Sequence, residues 1–503
     1  MFKIFYKMSH KIFNFFEKYS KFIFPLIIFV ISFLLIFINT LEISDELWLF
    51  HHTYKIANGY TIYSDVNVII TPIFFYLGKL FLLVFGKNMI VYRIYDLLIF
   101  IALYVVSYKI MRNLKYSKHI AFLVTNLLFL LTMSIVTAGA NYNTLVILFV
   151  LIGINLYITK NENFLIHGLI MFLIFFTKQN IGAYYILAMI ICDLYLYKFS
   201  KKFFLELLKK GSIFVLLSVI MLLQMYITGN ILDFINFCFG GIFEFSESNI
   251  SFAASPYYLV LFIATFMLYI FVLFKRKTLL KEVFNEEKFR NLTILIIFTA
   301  FVSLIVYPIF NSAHFLFVMP LHFIVLTYIF NSILIDELYG DIKYIGVCNL
   351  MAFAVLFMIL LRIGLYYFEQ RNETSYISYK NSPFYGIPTY TEYIEKSDTI
   401  KQYILSQNET GIDVIIVSDD SSLPIVELNQ NHLIYDLMYE GNLGYNGREK
   451  IKKDILSRKN TQFLIVTNEE DIFEQQPTDL LDFIKENLNY KGTILNYSIY
   501  ETN

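Results

Sequence analysis

The sequence is poor in cysteine, tryptophan and charge. Its 503 residues include three cysteines and one tryptophan, and charged residues make up 16% of the chain. Cys192, Cys238 and Cys348 are scattered without metal-ligand spacing, which argues against a disulfide framework or a cysteine-based metal site. The formal net charge is zero, so the total charge implies no nucleic acid or other polyanionic partner.

Apolar residues are abundant instead. They make up 57% of the chain, more than a soluble protein of this length carries. Apolar windows predict about eleven transmembrane helices, so we expect an α-helical polytopic membrane protein. The predicted spans are 22–40, 90–111, 117–137, 142–159, 163–177, 179–198, 212–228, 256–274, 291–307, 312–334 and 344–367.

The distribution of lysine and arginine predicts the orientation of the spans. Segments 1–21 and 198–210 carry five lysines each, and 275–290 carries six lysine and arginine residues. The alternate loops, at 41–71, 137–141, 229–255 and 308–311, carry Lys55 alone. The positive-inside rule therefore predicts a cytoplasmic N-terminus and an outer location for residues 41–71. The apolar run after the N-terminal lysines is expected to be a retained anchor.

The C-terminal part differs in character from the rest. Residues 370–503 are polar, and short β-like runs alternate with helical patterns. The β-like runs are Asp413–Ser418, Gln462–Thr467 and Thr493–Tyr500, and the helical patterns are Arg448–Arg458 and Asp479–Leu488. This alternation predicts a small α/β domain at 369–503 after a transmembrane domain at 1–368. The odd number of predicted spans puts this domain on the extracytoplasmic side.

The stretch 41–93 is too long and too polar for a simple membrane turn. Ser44 can cap a helix whose first turn holds Asp45 and Glu46, where the helix dipole favours negative charge. Gly59 is a stop signal for that helix, and Tyr60–Ile70 is β-branched and aromatic, hence expected to be extended. Pro72 can begin a second helix that Gly86 ends. Apolar residues of the first helix suit a membrane interface, namely Leu47, Trp48, Phe50 and Tyr54.

Carboxylates and cations converge on the outer side in this topology. The carboxylates lie in the outer loop 41–89, and the cations lie at the outer ends of spans. The carboxylates are Asp45, Glu46 and Asp65, and the cations are Arg93, Lys178 and His314. A cation in an apolar segment costs roughly 2.5–3.5 kcal/mol on insertion scales, so each one needs a reason. A site for the phosphate of an anionic lipid would supply that reason.

Each of these residues also has a structural interpretation. Arg93 can snorkel to the interface or pair with Asp96 one turn along its helix. Lys178 can be a loop lysine, His314 a hydrogen-bonded packing histidine, and Glu46 a surface residue of its helix. His51 and His52 lack ligand spacing, so no metal site is predicted.

These motifs resemble a known enzyme group. The chain resembles polyprenyl-phosphate-dependent GT-C glycosyltransferases in four features. They are an acidic pair after the first span, the run Gly59-Tyr60-Thr61-Ile62-Tyr63-Ser64-Asp65, Thr71-Pro72 and Arg93. The protein O-mannosyltransferase and aminoarabinose-transferase group is the most similar. The segments 177–182 (TKQNIG) and 307–314 (YPIFNSAH) are also similar to bacterial members. The resemblance covers about residues 20–335, but the outer loops here are nearly free of the further cations that some relatives keep.

The resemblance implies a fold and a reaction. The fold would be a GT-C bundle with outer juxtamembrane helices, and the donor a sugar linked to polyprenyl phosphate. Asp45, with Glu46 beside it, would be the catalytic base of an inverting transfer to a cell-wall polymer, glycolipid or protein at the outer face of a bacterial envelope. Arg93, Lys178 and His314 would bind the phosphate, and Asp65 would contribute to substrate binding. No cofactor would be required, and a divalent metal would be optional.

Two other functions are compatible with a polytopic membrane protein. A transporter of a lipid-linked sugar is expected to have paired repeats and polar residues near the bilayer midplane, whereas the polar residues here gather at one face. A non-enzymatic scaffold would use the C-terminal part to bind glycans.

Overall fold

The computed structural model describes most of the chain. The described residues are 39–41, 45–137, 141–248, 256–275, 285–307, 309–310, 312–332, 373–378, 380–417, 442–466 and 478–502, with isolated positions within 30–33 and 351–368 and at 427. The predicted spans 22–40 and 344–367 lie largely outside the described residues, as does the predicted cap Ser44.

Helices dominate, and a small sheet lies near the C-terminus. The helices are α1 (Asp45–Ala57), α2 (Ile73–Phe85), α3 (Met89–Asn113), α4 (Lys118–Thr137), α5 (Tyr142–Ile158), α6 (Phe164–Thr177), α7 (Gln179–Tyr197), α8 (Lys201–Ile227), α9 (Ile231–Ile235), α10 (Gly241–Ser248), α11 (Pro256–Lys275), α12 (Glu286–Val302), α13 (Ser312–Phe330), α14 (Thr391–Glu409), α15 (Gly447–Ser457) and α16 (Thr478–Asn487). The strands are β1 (Thr374–Tyr376), β2 (Pro388–Tyr390), β3 (Asp413–Val417), β4 (Thr461–Val466), β5 (Asn489–Ile494) and β6 (Tyr497–Glu501). A π-helical turn (Asn236–Gly240) joins α9 to α10, and a 3-10 turn (Ser303–Val306) extends α12.

The chain divides into two compact units. The first unit comprises 1–38, 96–219 and 251–369, and the second comprises 39–95, 220–250 and 370–503. The second unit therefore combines the 41–93 stretch with the C-terminal part. The predicted domain boundary between 368 and 369 stays a prediction.

Every predicted span between residues 90 and 334 coincides with a helix. Among the described residues, α3, α7, α8 and α12 with its 3-10 turn are long and apolar enough to cross a membrane. The apolar helices α2, α5 and α6 are shorter, within 10–17 residues. In the most apolar window of α8 just 11% of residues are buried, so this helix needs an apolar surrounding such as lipid. The total number of spans remains a prediction.

Close packing joins α6 to α7 in the first unit. Lys178 is the residue between the two helices, and its amide donates to Ile174 O at 3.0 Å. One turn later, Gly182 lies against the backbone of Phe175, so a Cβ there would overlap the Phe175 Cα. The missing side chain lets α7 begin directly on α6.

We expect Gly182→Ala to destabilise the protein by about 1–3 kcal/mol, because the added methyl forces a backbone shift. Thermal unfolding of the detergent-purified protein measures the effect. Gly211→Ala is the matched control, since a Cβ at this helical glycine meets no atom within 4 Å. Equal midpoints for the two variants would contradict the prediction.

The four-stranded sheet lies in the second unit, with strand order β3-β4-β6-β5. β3 and β4 are parallel and are connected through α15, whereas β6 pairs antiparallel with β4 and β5. Ile400 and Ile404 of α14 pack on Val414 and Leu464 in a buried apolar core. Apolar residues four apart on α14 and two apart on β3 and β4 thus form the core that stabilises this sheet.

The predicted strands and helices of the C-terminal part are found with one correction. The predicted single strand Thr493–Tyr500 is wrong, because β5 and β6 form a hairpin that turns at Leu495 and Asn496. Leu495 adopts a left-handed φ of 53°, which a leucine rarely takes, so Asn496 is the one turn-favouring residue of this pair and the turn signal is weak. Whether residues 369–503 fold as a separate domain stays a prediction.

A docking loop, residues 442–446, fixes the C-terminal part to earlier segments of the same unit. Asn67 Nδ2 donates to Asn442 O at 3.3 Å, and the Tyr445 amide donates to Asn236 Oδ1 at 2.9 Å. Gly444, with φ 67°, lies against Gly241. A Cβ added at Gly241 would lie 3.0 Å from the Cα of Gly444. The glycine-rich run around 444 is therefore a packed turn.

Candidate functional site

The two helices predicted between residues 45 and 85 are confirmed, including their ends. α1 begins at Asp45 and ends before Gly59, whose φ is 102°. α2 begins after Pro72 and ends at Gly86, whose φ is 120°. These helix ends are determined locally. Carboxylates in the first turn and a proline favour a helix start, and a glycine with positive φ ends a helix, each within one turn of its own position.

α1 presents one carboxylate and buries the next. Asp45 is exposed at the first position, whereas Glu46 is 5% exposed. All other residues of α1 except Tyr54 are buried. The expectation that Leu47, Trp48 and Phe50 face a membrane interface is therefore wrong, since these side chains pack within the protein. Asp45 is the carboxylate that a substrate can reach at this end of α1.

Glu46 forms a buried, bidentate ion pair with Arg93. Arg93 Nε donates to Glu46 Oε1 at 2.8 Å, and Nη2 donates to Oε2 at 2.8 Å. Nη1 and Nη2 also donate to the carbonyls of Asn39 and Thr40, at 2.9 and 3.3 Å. The arginine thus fixes the backbone just before α1 as well as its second residue.

The Arg93 side chain does not extend to the membrane surface, and its guanidinium is not accessible to a substrate phosphate. Its side chain is 1% exposed, and its guanidinium plane faces Glu46. A buried arginine needs such compensation, because leaving an uncompensated charge in the interior costs several kcal/mol. The geometry favours a positioning role for Arg93 and Glu46, with Asp45 projecting from the segment they hold.

Asp65 lies at the other end of α1. Its Oδ2 accepts the Thr61 amide at 2.7 Å, and its backbone carbonyl accepts Lys55 Nζ at 3.3 Å. Lys55 is ten residues from Asp45, which corresponds to about 15 Å along a helix axis. The structure therefore does not place Asp65 beside Asp45.

The segment 60–70 is irregular, which corrects the expectation of an extended run. Ile62 and Val66 form an isolated bridge, and Tyr63 between them has a φ of 71°. The Tyr63 hydroxyl donates to Ile70 O at 3.0 Å. Burial, and then the neighbouring Cys238, raise the pKa of the Tyr63 phenol well above its ordinary value, so it stays a hydrogen-bond donor.

This irregular segment is held by residues much later in the chain. Ser64 Oγ donates to Asp233 Oδ2 at 2.9 Å, and Asn230 Nδ2 donates to Ile62 O at 2.9 Å. The Tyr63 ring packs on Phe234 of α9 with centroids 5.3 Å apart. Sequence reasoning missed these partners, because no local pattern links residues 169 positions apart.

Lys178 and His314 come together in the first unit. Lys178 Nζ donates to Asn143 Oδ1 at 2.6 Å and lies 5.1 Å from the centroid of the Tyr142 ring. His314 is near enough for its charge to interact with that of Lys178. Asn143 lies in the first turn of α5, where Asn141 is the cap. Its contact with Lys178 is the part that the sequence did not signal.

Within the part of the chain that the structure describes, no group of three or more histidine, cysteine or acidic side chains is arranged to hold a metal ion.

Comparison with known proteins identifies the fold but no sequence family. No protein-family model and no curated protein match the sequence. Two crystal structures of ArnT from Cupriavidus metallidurans are similar over nearly the whole chain. The structure bound to undecaprenyl phosphate has 11% identity and a TM-score of 0.59, covering 96% of this chain and 98% of that one. The apo structure has 12% identity and a TM-score of 0.53, covering 94% and 95%.

The chain therefore has the GT-C fold of ArnT, a membrane-protein fold. This confirms the predicted GT-C-like fold, and identities of 11–12% show the fold alone.

Proposed function

We propose that the protein is a membrane glycosyltransferase that moves a sugar from a polyprenyl-phosphate carrier to an acceptor at the outer face of the membrane. The observation that carries the proposal is the whole-chain likeness to ArnT, including the structure bound to undecaprenyl phosphate. The exposed carboxylate at the start of α1 supports it, because the reaction needs a base. The acceptor class is a cell-wall polymer, a glycolipid or a protein.

Asp45 is the proposed general base. An acceptor hydroxyl attacks the anomeric carbon, its proton passes to the Asp45 carboxylate, and a new glycosidic bond forms with inversion. The bond from the anomeric carbon to the phosphate oxygen breaks, and polyprenyl phosphate leaves with that electron pair. A phosphate leaving group needs positive charge more than a proton, so cations assist this departure.

The other candidate residues take supporting roles in this proposal. Lys178 is assigned to the donor phosphate, because a charged donor to a phosphate oxygen makes a strong hydrogen bond. His314 is assigned to the same phosphate as an uncharged hydrogen-bond donor. Arg93 and Glu46 position the start of α1 through their buried pair. Asp65 contributes to substrate binding through the loop that it orders by accepting the Thr61 amide.

A transfer assay in proteoliposomes tests the proposal. Radiolabelled polyprenyl-phosphate sugars are supplied one at a time, with cell-envelope extract as the source of acceptor. Release of free polyprenyl phosphate together with label on an acceptor supports the glycosyltransferase. Label that crosses the bilayer still attached to its lipid would instead indicate a transporter.

We expect Lys178→Gln to raise the KM for the donor about tenfold, because a charge-assisted hydrogen bond to phosphate is lost. Donor titration of the purified variant measures the change, and thermal unfolding checks that the Asn143 contact was not essential for folding. Lys109→Gln is the matched control, an exposed lysine on α3. A donor KM equal to that of the native protein would remove Lys178 from the phosphate site.

A further inference from the structure

A second polar cluster lies in the first unit, at the opposite end of α5 from Lys178. A cleft of about 180 Å³ opens between the ends of α5, α7, α8 and α12, and Tyr157, His167, Lys210 and Arg290 contribute to its lining. Tyr157 and Asn143 are fourteen residues apart on α5, or about 20 Å. The positive-inside pattern predicts that this end faces the cytoplasm. The cleft is thus independent of the proposed function.

The floor of the cleft is a closed buried network. Lys210 Nζ donates to both carboxylate oxygens of Asp193, at 2.9 and 2.8 Å, and to the Tyr157 hydroxyl at 3.3 Å. The Tyr157 hydroxyl in turn donates to Asp193 Oδ1 at 2.9 Å. All three protons of the lysine are engaged, so the floor carries no charge that needs a further partner.

Among the described residues that line the cleft, Arg290 is the cation that forms no ion pair with a carboxylate. Each carboxylate of the cluster has its own lysine. These pairs are Lys210–Asp193 at 2.8 Å, Lys202–Glu162 at 2.8 Å, Lys209–Glu206 at 3.6 Å and Lys160–Glu287 at 3.8 Å. Among the described residues, Arg290 has neutral acceptors, the Asn291 Oδ1 and the Tyr157 carbonyl, both at 2.9 Å. Arg290 therefore supplies the unmatched positive charge of the cleft.

Arg290 retains the donors that an oxyanion requires. Two of its five N–H groups are used in the bonds to Asn291 and Tyr157, and the side chain is half-buried at the cleft. The fork of a guanidinium matches two oxygens of a phosphate group. Lys160, whose contact with Glu287 is long and exposed, is a second cation that can reach the same ligand.

His167 lines the cleft but does not contribute a ligand contact. Its Nε2 lies 2.8 Å from the Asn161 carbonyl, which accepts only, so Nε2 carries a proton. Its Nδ1 is enclosed by protein, so neither ring nitrogen is open to a ligand in the cleft.

We infer that this cleft binds a phosphate ester, with Arg290 as its main contact and Lys160 as the second. The volume is below the roughly 300 Å³ of the smallest drug-sized pockets, so it suits a headgroup and excludes a nucleotide. Leu156, Leu196 and Tyr197 also line the cleft and provide apolar surface for the acyl end of a lipid. The ligand is either the headgroup of phosphatidylglycerol or a soluble glycerol phosphate.

Binding to the full-length protein tests the inference. The protein is held in phosphatidylcholine nanodiscs, and native mass spectrometry and thermal unfolding are recorded with added phosphatidylglycerol or with glycerol 3-phosphate. We expect Arg290→Gln to weaken binding about tenfold, which is the loss of one charge-assisted contact. Phosphatidylglycerol binding alone identifies the lipid source, and binding of glycerol 3-phosphate identifies the soluble one.

Arg112→Gln is the matched control. Arg112 likewise donates to a backbone carbonyl beyond the end of its helix, that of Tyr116, but it does not line the cleft. We expect its binding to equal that of the native protein. If Arg290→Gln does not fold, Lys160→Gln replaces it, with an expected weakening of about threefold. No binding of either probe, or equal binding by the native protein and the cleft variant, would overturn the inference.

Discussion

Asp45→Asn is expected to abolish sugar transfer while the protein stays folded and inserted. A positioned general base contributes about 10²- to 10⁴-fold to a rate, and asparagine cannot accept the acceptor proton. The side chain is exposed in the first turn of α1, and the loss of its helix-dipole interaction costs about 0.3–1 kcal/mol. The initial rate of label transfer in proteoliposomes measures the effect.

Glu392→Gln provides the control for this experiment. Glu392 is also an exposed carboxylate in the first turn of a helix of the second unit, α14. It should keep the native rate, because the proposed reaction assigns it no role. Transfer by Asp45→Asn at a rate near that of the control would exclude Asp45 as the base. The proposed glycosyltransferase function would still stand in that case.

Arg93→Met is expected to lower the free energy of unfolding by about 3–5 kcal/mol, because it leaves Glu46 buried without its cation. The pair is enclosed, with side-chain exposures of 1% and 4%, so solvent cannot substitute for the guanidinium. Two backbone carbonyls before α1 lose their donors at the same time. Denaturant or thermal unfolding of the purified protein measures the loss.

The double variant Glu46→Leu with Arg93→Met separates two explanations of that loss. When both charges are removed, no unpaired charge stays buried, and most of the stability should return. Lys485→Ala is the control for a solvated pair, because Lys485 and Asp482 are 40% and 64% exposed and should contribute less than about 1 kcal/mol. If the double variant were as unstable as Arg93→Met, loss of the carbonyl contacts or of packing would explain the effect instead.

Local features of the sequence predict the elements well. The ends of α1 and α2 follow from Asp45, Gly59, Pro72 and Gly86, since each acts within a turn of its own position. Apolar runs likewise predict the helices between residues 90 and 334. The hairpin at Leu495 was missed, because its turn uses a residue type that the turn rules do not favour.

The tertiary partners of the candidate-site residues could not be predicted from local sequence patterns. Arg93 stands out in the sequence as a cation that needs a partner, and Asp96 on the same helix is one of the alternatives that local spacing offers. The observed partner is Glu46, 47 residues earlier, and the choice depends on the packing of α1 against the start of α3. Similarly, the Lys178 contact with Asn143 crosses 35 residues. The residue types that carry charge were thus predictable, whereas the tertiary contacts that assign each a role were not.

The docking loop has a consequence for biosynthesis. Asn67 and its partner Asn442 are 375 positions apart, so the segment that follows α1 must wait for nearly the whole polypeptide before this contact can form. At roughly 5–20 residues per second, the interval between the two residues leaving the ribosome is on the order of 20–75 s. Throughout that interval the helices of the first unit can insert and pack, while the segment bearing Asp65 lacks its last partner. A chain that terminates before residue 442 would therefore reach the membrane with this segment incomplete, and proteases acting on unfinished chains would meet it there first.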